Sequence, residues 1–174
     1  MGSFDPWRSV DLIVEAFKIA RKKKKMKLVL IGGGGNIDDI KEMTKDDKDI
    51  VVTDWIKENK DVIAYCKGSD VLMMTPRKNT MAKTVSSIKC FEYIACEVPS
   101  ILTNTGEHEE LVRKLDVGLV AEADPKSIAD SIIEMIKNKK QYKNFKKNCK
   151  KHKNDVDFKN TRRNFSEEIQ NDLG

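Results

Sequence analysis

The stretch Met26-Lys27-Leu28-Val29-Leu30-Ile31-Gly32-Gly33-Gly34-Gly35 decides the fold. Its apolar run is short, does not alternate with polar residues and closes on four glycines, so it reads as a buried strand entering a turn. Upstream, Val10, Leu12, Ile13, Ala16, Phe17 and Ala20 recur at helical spacing. Ser9 or Asp11 can cap that helix. Arg21 to Lys25 place positive charge at its C-terminal end, where the helix dipole favours it.

The same alternation continues along the chain. Residues 38–44 read as a helix, 50–53 as a strand, and 60–66 as a helix whose apolar positions are Val62, Ile63 and Tyr65. Residues 71–75 form a strand stopped by Pro76, and 77–83 a loop without apolar periodicity. Ser86 or Ser87 then caps a helix through Ala95, with Ile88, Phe91, Tyr93, Ile94 and Ala95 mostly inward. A strand at 99–103, a helix at 109–114 and a strand at 119–121 follow. Asp124 or Ser127 opens a helix carrying Ile128, Ala129, Ile132, Ile133 and Ile136 on one face. Short apolar strands separated by helices are buried on both faces and run parallel. The expected class is α/β, a doubly wound parallel sheet with helices on both faces and a helical C-terminal tail. Ligands in such sheets sit beyond the carboxyl ends of the strands. That points to residues 2–9, 32–36, 53–58, 75–86 and 103–108.

The 174 residues suit one domain that buries a core without disulfides or metals. No apolar run approaches the roughly 20 residues needed to cross a bilayer, and the first residues carry no secretory pattern. A cytoplasmic protein is expected. Cys66, Cys90, Cys96 and Cys149 form no CxxC pair, and His108 and His152 lie in no metal-ligand spacing, so reduced thiols and no metal site are expected. The net charge is +5, but residues 137–163 alone carry twelve Lys and Arg against Asp155 and Asp157. The division expected is a nearly neutral body, 1–138, and a basic helical extension, 139–174. Such an extension suits an anionic membrane surface or plain solvation. Its aromatics, Tyr142, Phe145 and Phe158, are not interleaved as a nucleic-acid platform would need.

Two stretches carry chemistry. The glycines after the first long strand begin a GxGxxG pattern at Gly32 and Gly34 but put Ile37 at its third position; Asp54 falls where a ribose-binding acid belongs. A tight turn that lets strand and helix pack is the other reading of the same glycines. The second stretch is Lys83-Thr84-Val85-Ser86-Ser87-Ile88-Lys89-Cys90-Phe91-Glu92-Tyr93-Ile94-Ala95. Small hydroxyl residues lead into a helix, whose free N–H groups and positive dipole end suit an anion. Glu92 stands two turns in, among apolar neighbours, where a carboxylate can bind sugar hydroxyls or simply cap an exposed face.

Several motifs occur in order: Gly2-Ser3-Phe4-Asp5-Pro6-Trp7-Arg8, Leu28 to Gly34, Ser69 to Pro76, Lys89 to Ala95, Val98-Pro99, Thr105-Gly106 and Val117 to Val120. Over residues 2–136 this set resembles the C-terminal, nucleotide-sugar-binding domain of the family-4 GT-B retaining glycosyltransferases. The resemblance implies a Rossmann-like fold. It also implies transfer of a hexose from a UDP- or GDP-sugar, with retention, to a glycan or lipid acceptor, as in capsule, lipopolysaccharide or glycolipid synthesis. It places the ribose on Glu92 and the diphosphate on Arg8, Lys83 and the backbone of Val85, Ser86, Ser87 and Ile88. Gly2 is the opening glycine; Ser3 stands where the family usually has an arginine, and Thr84 where it has a first glutamate. Trp55 and Ile56 are candidate base contacts. No metal and no cofactor beyond the donor are implied. The family's enzymes also have an N-terminal acceptor domain, so this chain is expected to bind donor and to be inactive alone. The alternatives are a non-catalytic nucleotide-binding subunit of a two-chain transferase and a dinucleotide-binding domain.

Overall fold

The computed structural model describes residues 1–78, 88–105 and 107–156. In chain order these contain β1 (Gly2–Ser3), a 3-10 turn (Pro6–Arg8), α1 (Val10–Ala20), β2 (Leu28–Leu30), β3 (Gly32–Gly33), α2 (Ile37–Thr44) and β4 (Ile50–Val52). Then come α3 (Asn59–Lys67), β5 (Leu72–Met74), α4 (Ile88–Ala95), β6 (Ser100–Thr103), α5 (Glu107–Leu115), β7 (Gly118–Ala121), α6 (Pro125–Lys137) and α7 (Lys139–His152).

All strand pairings are parallel. β2 pairs with β4, and β3, which follows β2 after Ile31 alone, pairs with β1 through Gly2 opposite Gly32 and Ser3 opposite Gly33. The other strands run in the order β5-β6-β7. β6 shows why both faces need helices. Ile101 is fully buried in one apolar cluster with α1 and α6, while its neighbour Leu102 is fully buried in another with α4 and Val112 of α5. Successive strand residues point to opposite faces, so one strand feeds two cores. A third cluster joins the flank of α1, through Ile13 and Phe17, to Leu28, Leu30 and Ile50.

The caps are mixed. Asp124 opens α6 as expected, its carboxylate accepting from the N–H groups of Lys126 (2.9 Å) and Ser127 (3.0 Å). Ser9 stands at the start of α1 but makes no cap bond into it. The helix at residues 59–67 exists, yet Ile63 and Tyr65, expected inward, are 46% and 44% exposed, and Cys66 is its buried residue. Ile88 and Ala95, also expected inward, are exposed, Ile88 at 58%, while Cys90, Tyr93 and Ile94 fill the core. In the extension, α7 turns Phe145 and Cys149 into the clusters of the body. Loop contacts hold it there: Tyr142 Oη donates to the Asp70 carbonyl (3.1 Å) and Lys153 pairs with Glu97 (2.7 Å). Residues 157–174 lie outside the described part. Among the described residues no helix is long and apolar enough to cross a membrane.

Candidate functional site

The glycine turn is where β1 and β3 meet, and its backbone is crowded. Gly32 has φ of +133°, and a Cβ there would sit 1.8 Å from the Gly2 carbonyl oxygen, so only glycine fits. A Cβ on Gly33 would meet the Trp55 indole, 2.8 Å from Nε1. Trp55 therefore leans on the turn while staying 62% exposed; Ile56 is half-buried. Asp54, just before it, adopts φ of 56°, its carbonyl accepts the Gly32 N–H (3.1 Å), and its carboxylate is held by Lys41 Nζ (2.7 Å). Asp54 thus secures the turn from below.

From this turn a chain of contacts leads to α4. The Lys89 side chain passes Gly2, its Cε 3.7 Å from where a Cβ of Gly2 would be, and its Nζ reaches Glu92 Oε2 at 2.7 Å. The same corner holds the buried Met1 amino group, which feels the charges of Lys89, Glu92 and Arg8; burial first, then Lys89 and Arg8, hold it below the ordinary range. Arg8 stacks on the Trp7 ring (4.0 Å). Its Nε is buried, and among the described residues no acceptor meets it. Burial lowers the Arg8 pKa against the opposing pull of Asp5 and Tyr93. An arginine in this condition gains from an anionic partner. Tyr93, on the buried face of α4, donates to the Met73 carbonyl (3.0 Å), and burial raises its pKa. That bond fixes α4 against β5.

The loop after β5 is pinned from across the molecule. Ser9 Oγ accepts the Arg77 N–H (3.1 Å), and the Arg77 guanidinium grips Asp11 with two bonds, 3.0 and 2.6 Å. Burial pushes the Asp11 carboxyl up, but the Arg77 bond and charge outweigh it and leave the pKa below the usual range. Thr103 Oγ1 donates to the Pro76 carbonyl (2.8 Å), tying β6 to the same loop.

Of the residues singled out in the sequence, Gly2, Arg8 and Glu92 share this corner, and Trp55 joins it through the glycine turn. Ile88 opens α4 one residue before Lys89 and is mostly exposed. Lys83, Thr84, Val85, Ser86 and Ser87 lie outside the described residues. Lys89 was given no role from the sequence, although its i, i+3 spacing to Glu92 is the signal for the pair. Arg77 left no local signal, because its partners are 66 and 68 residues away. The thiols are reduced; burial pushes Cys90 and Cys149 up to about 12 and Cys66 to about 11. Among the described residues no group of His, Cys, Asp and Glu could hold a metal ion.

The family described as glycosyl transferases group 1 matches residues 1–152. The chain belongs to that family. No curated protein matches it. Among solved structures, the C-terminal domain of a glycosyl transferase group 1 family protein (LpcC) from Francisella tularensis is 19% identical with a TM-score of 0.72, over 86% of this chain and 79% of that one. HepE from Anabaena, solved with UDP and glucose, is 17% identical with a TM-score of 0.74 over 97% of this chain but 47% of its own. The catalytic domain of a cholesterol-α-glucosyltransferase from Helicobacter pylori is 14% identical with a TM-score of 0.71, over 89% and 94%. The fold of this group 1 chain is therefore the Rossmann-like one of a GT-B C-terminal domain. It spans less than half of HepE.

Proposed function

We propose that this chain is the donor-binding half of a retaining family-4 hexosyltransferase that uses a nucleotide diphosphate sugar. The observation that carries the reading is the corner between β1 and α4. There the Lys89–Glu92 pair lies beside Gly2, and Arg8, whose buried Nε meets no acceptor among the described residues, acts with that pair on the Met1 amino group. Glu92 takes the ribose diol. Arg8, Lys83 and the backbone from Val85 to Ile88 take the diphosphate and stabilise the negative charge that grows on it as the glycosidic bond breaks. Trp55 and Ile56 border the base. That HepE was solved with UDP and glucose supports a UDP-sugar as donor. The acceptor, a glycan or lipid, is held by an N-terminal domain in cis or in a separate subunit, and this half alone transfers nothing. Lys143, Lys146, Lys147 and Lys150 on the exposed side of α7 suit peripheral contact with an anionic membrane from the cytoplasm, within polysaccharide or glycolipid synthesis.

Asp54 is tied to Lys41 and to the glycine turn, which speaks for the diphosphate reading over a dinucleotide. Calorimetry with UDP, GDP and NAD tests this. One of the two diphosphates binds with a Kd between about micromolar and millimolar, roughly −8 to −4 kcal/mol, and NAD gives no heat. Tight NAD binding with no response to either diphosphate would sink the proposal.

A further inference from the structure

Three consecutive residues after β5 are each held by a different element. The Pro76 carbonyl accepts from Thr103 Oγ1 of β6 (2.8 Å), Arg77 reaches back to the start of α1, and Lys78 Nζ meets Glu122 just beyond β7 (3.3 Å). The Arg77 contact differs from the other two because its backbone and its side chain both go to the near neighbours of Arg8. Its N–H donates to Ser9 Oγ (3.1 Å), and its guanidinium donates to both Asp11 oxygens (3.0 and 2.6 Å).

Ser9 is buried and strained. Its φ of 54° is a left-handed conformation that costs free energy in a residue with a Cβ. A serine that opens a helix ordinarily takes an extended conformation, and its oxygen accepts an N–H of the first turn. Ser9 makes no such bond, because its oxygen is taken by Arg77. The local bonds of Ser9, N–H to the Pro6 carbonyl (3.3 Å) and Oγ to the Trp7 carbonyl (3.5 Å), are long and hold it weakly. A return of Ser9 to the extended conformation would re-aim the peptide before it, and Arg8 with it. Arg8 is itself in an unfavourable state: its guanidinium stacks on Trp7 (4.0 Å), and its buried Nε meets no acceptor among the described residues. Two such costs side by side persist only where the surroundings enforce them. The bonds that do so at Ser9 and Asp11 come from Arg77.

We infer that Arg77 is a positioning residue: through Ser9 and Asp11 it keeps Arg8 stacked on Trp7, with the buried Nε held ready for an anionic ligand. That the anion is a nucleoside diphosphate rests on the donor-binding reading above; the clasp on Arg8 does not. The Arg77 and Asp11 side chains are both open to water, so their pairing adds little to global stability. Its effect falls on the local geometry of residues 8–11 and not on the fold.

The test compares Arg77→Met, Arg77→Lys and Lys78→Met with the parent chain. Lys78→Met removes the neighbouring ion pair and leaves Ser9 and Asp11 held. The ring current of Trp7 displaces the NMR signals of the Arg8 side chain, so those signals report its position without any ligand. Arg77→Met is expected to move them toward free-arginine values and to weaken UDP binding in calorimetry by about three- to tenfold. Its Tm should fall by no more than about 4 °C. Arg77→Lys keeps the charge without the fork and should lie between Arg77→Met and the parent. Lys78→Met should change neither readout. Unmoved Arg8 signals in Arg77→Met overturn the inference. So does an unchanged UDP affinity when those signals have moved, and so do equal effects of Arg77→Met and Lys78→Met. If the parent itself binds no UDP, the donor reading fails, and the Arg8 signals alone decide the clasp.

Discussion

Glu92 does not wait for a ligand unpaired: Lys89 Nζ holds one of its oxygens at 2.7 Å, with both side chains partly open to water. A ribose diol must share or displace that contact, and charge-assisted bonds to a carboxylate are worth roughly 1.5–3 kcal/mol each when well formed. Replacing Glu92 by Ala is therefore expected to weaken UDP binding by about ten- to a hundredfold, at about 1.4 kcal/mol per decade. Glu92→Gln loses less, since the amide still reaches one hydroxyl. Thr84→Ala hardly changes diphosphate affinity, because Thr84 stands where the family's first glutamate touches the transferred sugar, which a diphosphate lacks. In a double-mutant cycle Lys89→Met and Glu92→Ala should be non-additive, as partners in one pair are. Calorimetry reads all four, with circular dichroism checking that the fold persists. Unchanged affinity in Glu92→Ala would move the ribose away from α4.

At the level of elements, most of the fold was legible because its strands are short apolar runs and its helices carry apolar residues three and four apart. Those signals depend only on local burial, and β2, β6, α1 and α6 lie where the pattern puts them. Features set by distant partners were not legible. Ser9 looks like a helix cap, yet it has φ of 54° and its hydroxyl oxygen accepts the Arg77 N–H instead. In α3, Ile63 and Tyr65 read as apolar positions of the helix, but Cys66 is the residue it buries, and Ile63 and Tyr65 stay exposed. In α7 a weak apolar face, Tyr142, Phe145 and Cys149, is readable between the lysines; what is not readable is that Phe145 (2% exposed) and Cys149 (0%), spaced i, i+4, pack into the clusters of the body. Phe145 lies in the cluster with α1 and α6, so α7 is part of the core and not an appendage. Phe145→Ala is expected to cost about 3–5 kcal/mol in urea unfolding. Lys146→Ala, on the exposed side, should stay within about 0.5 kcal/mol. Equal midpoints for the two variants would mean that α7 contributes nothing to the fold.

At the level of the whole molecule, the candidate groups come from one side only. Gly2 lies in β1 and Arg8 follows it, Trp55 follows β4, and Lys89 and Glu92 belong to α4, in the carboxyl-end half of one α/β layer system. This chain spans 47% of HepE. A donor resting on such a surface faces water. Water screens Arg8 and Lys89, so the negative charge on a departing diphosphate gains much less than in a closed, dry site. On the proposed reading the acceptor hydroxyl is held by another domain, and positioning of that kind supplies up to about 7–11 kcal/mol of a barrier. Binding and turnover should therefore separate. Incubated with UDP-glucose or GDP-mannose, the chain is expected to show saturable nucleotide binding by ligand-observed NMR. It should release no diphosphate above the rate in buffer and leave simple glycan and lipid acceptors unmodified. Glu92→Ala should move NMR saturation to about ten- to a hundredfold more nucleotide without changing the background release. Repeated turnover by the isolated chain would require the acceptor site to be built within residues 1–174. The assignment of this chain as the donor half of a larger transferase would then be wrong, even if nucleotide still binds at Glu92.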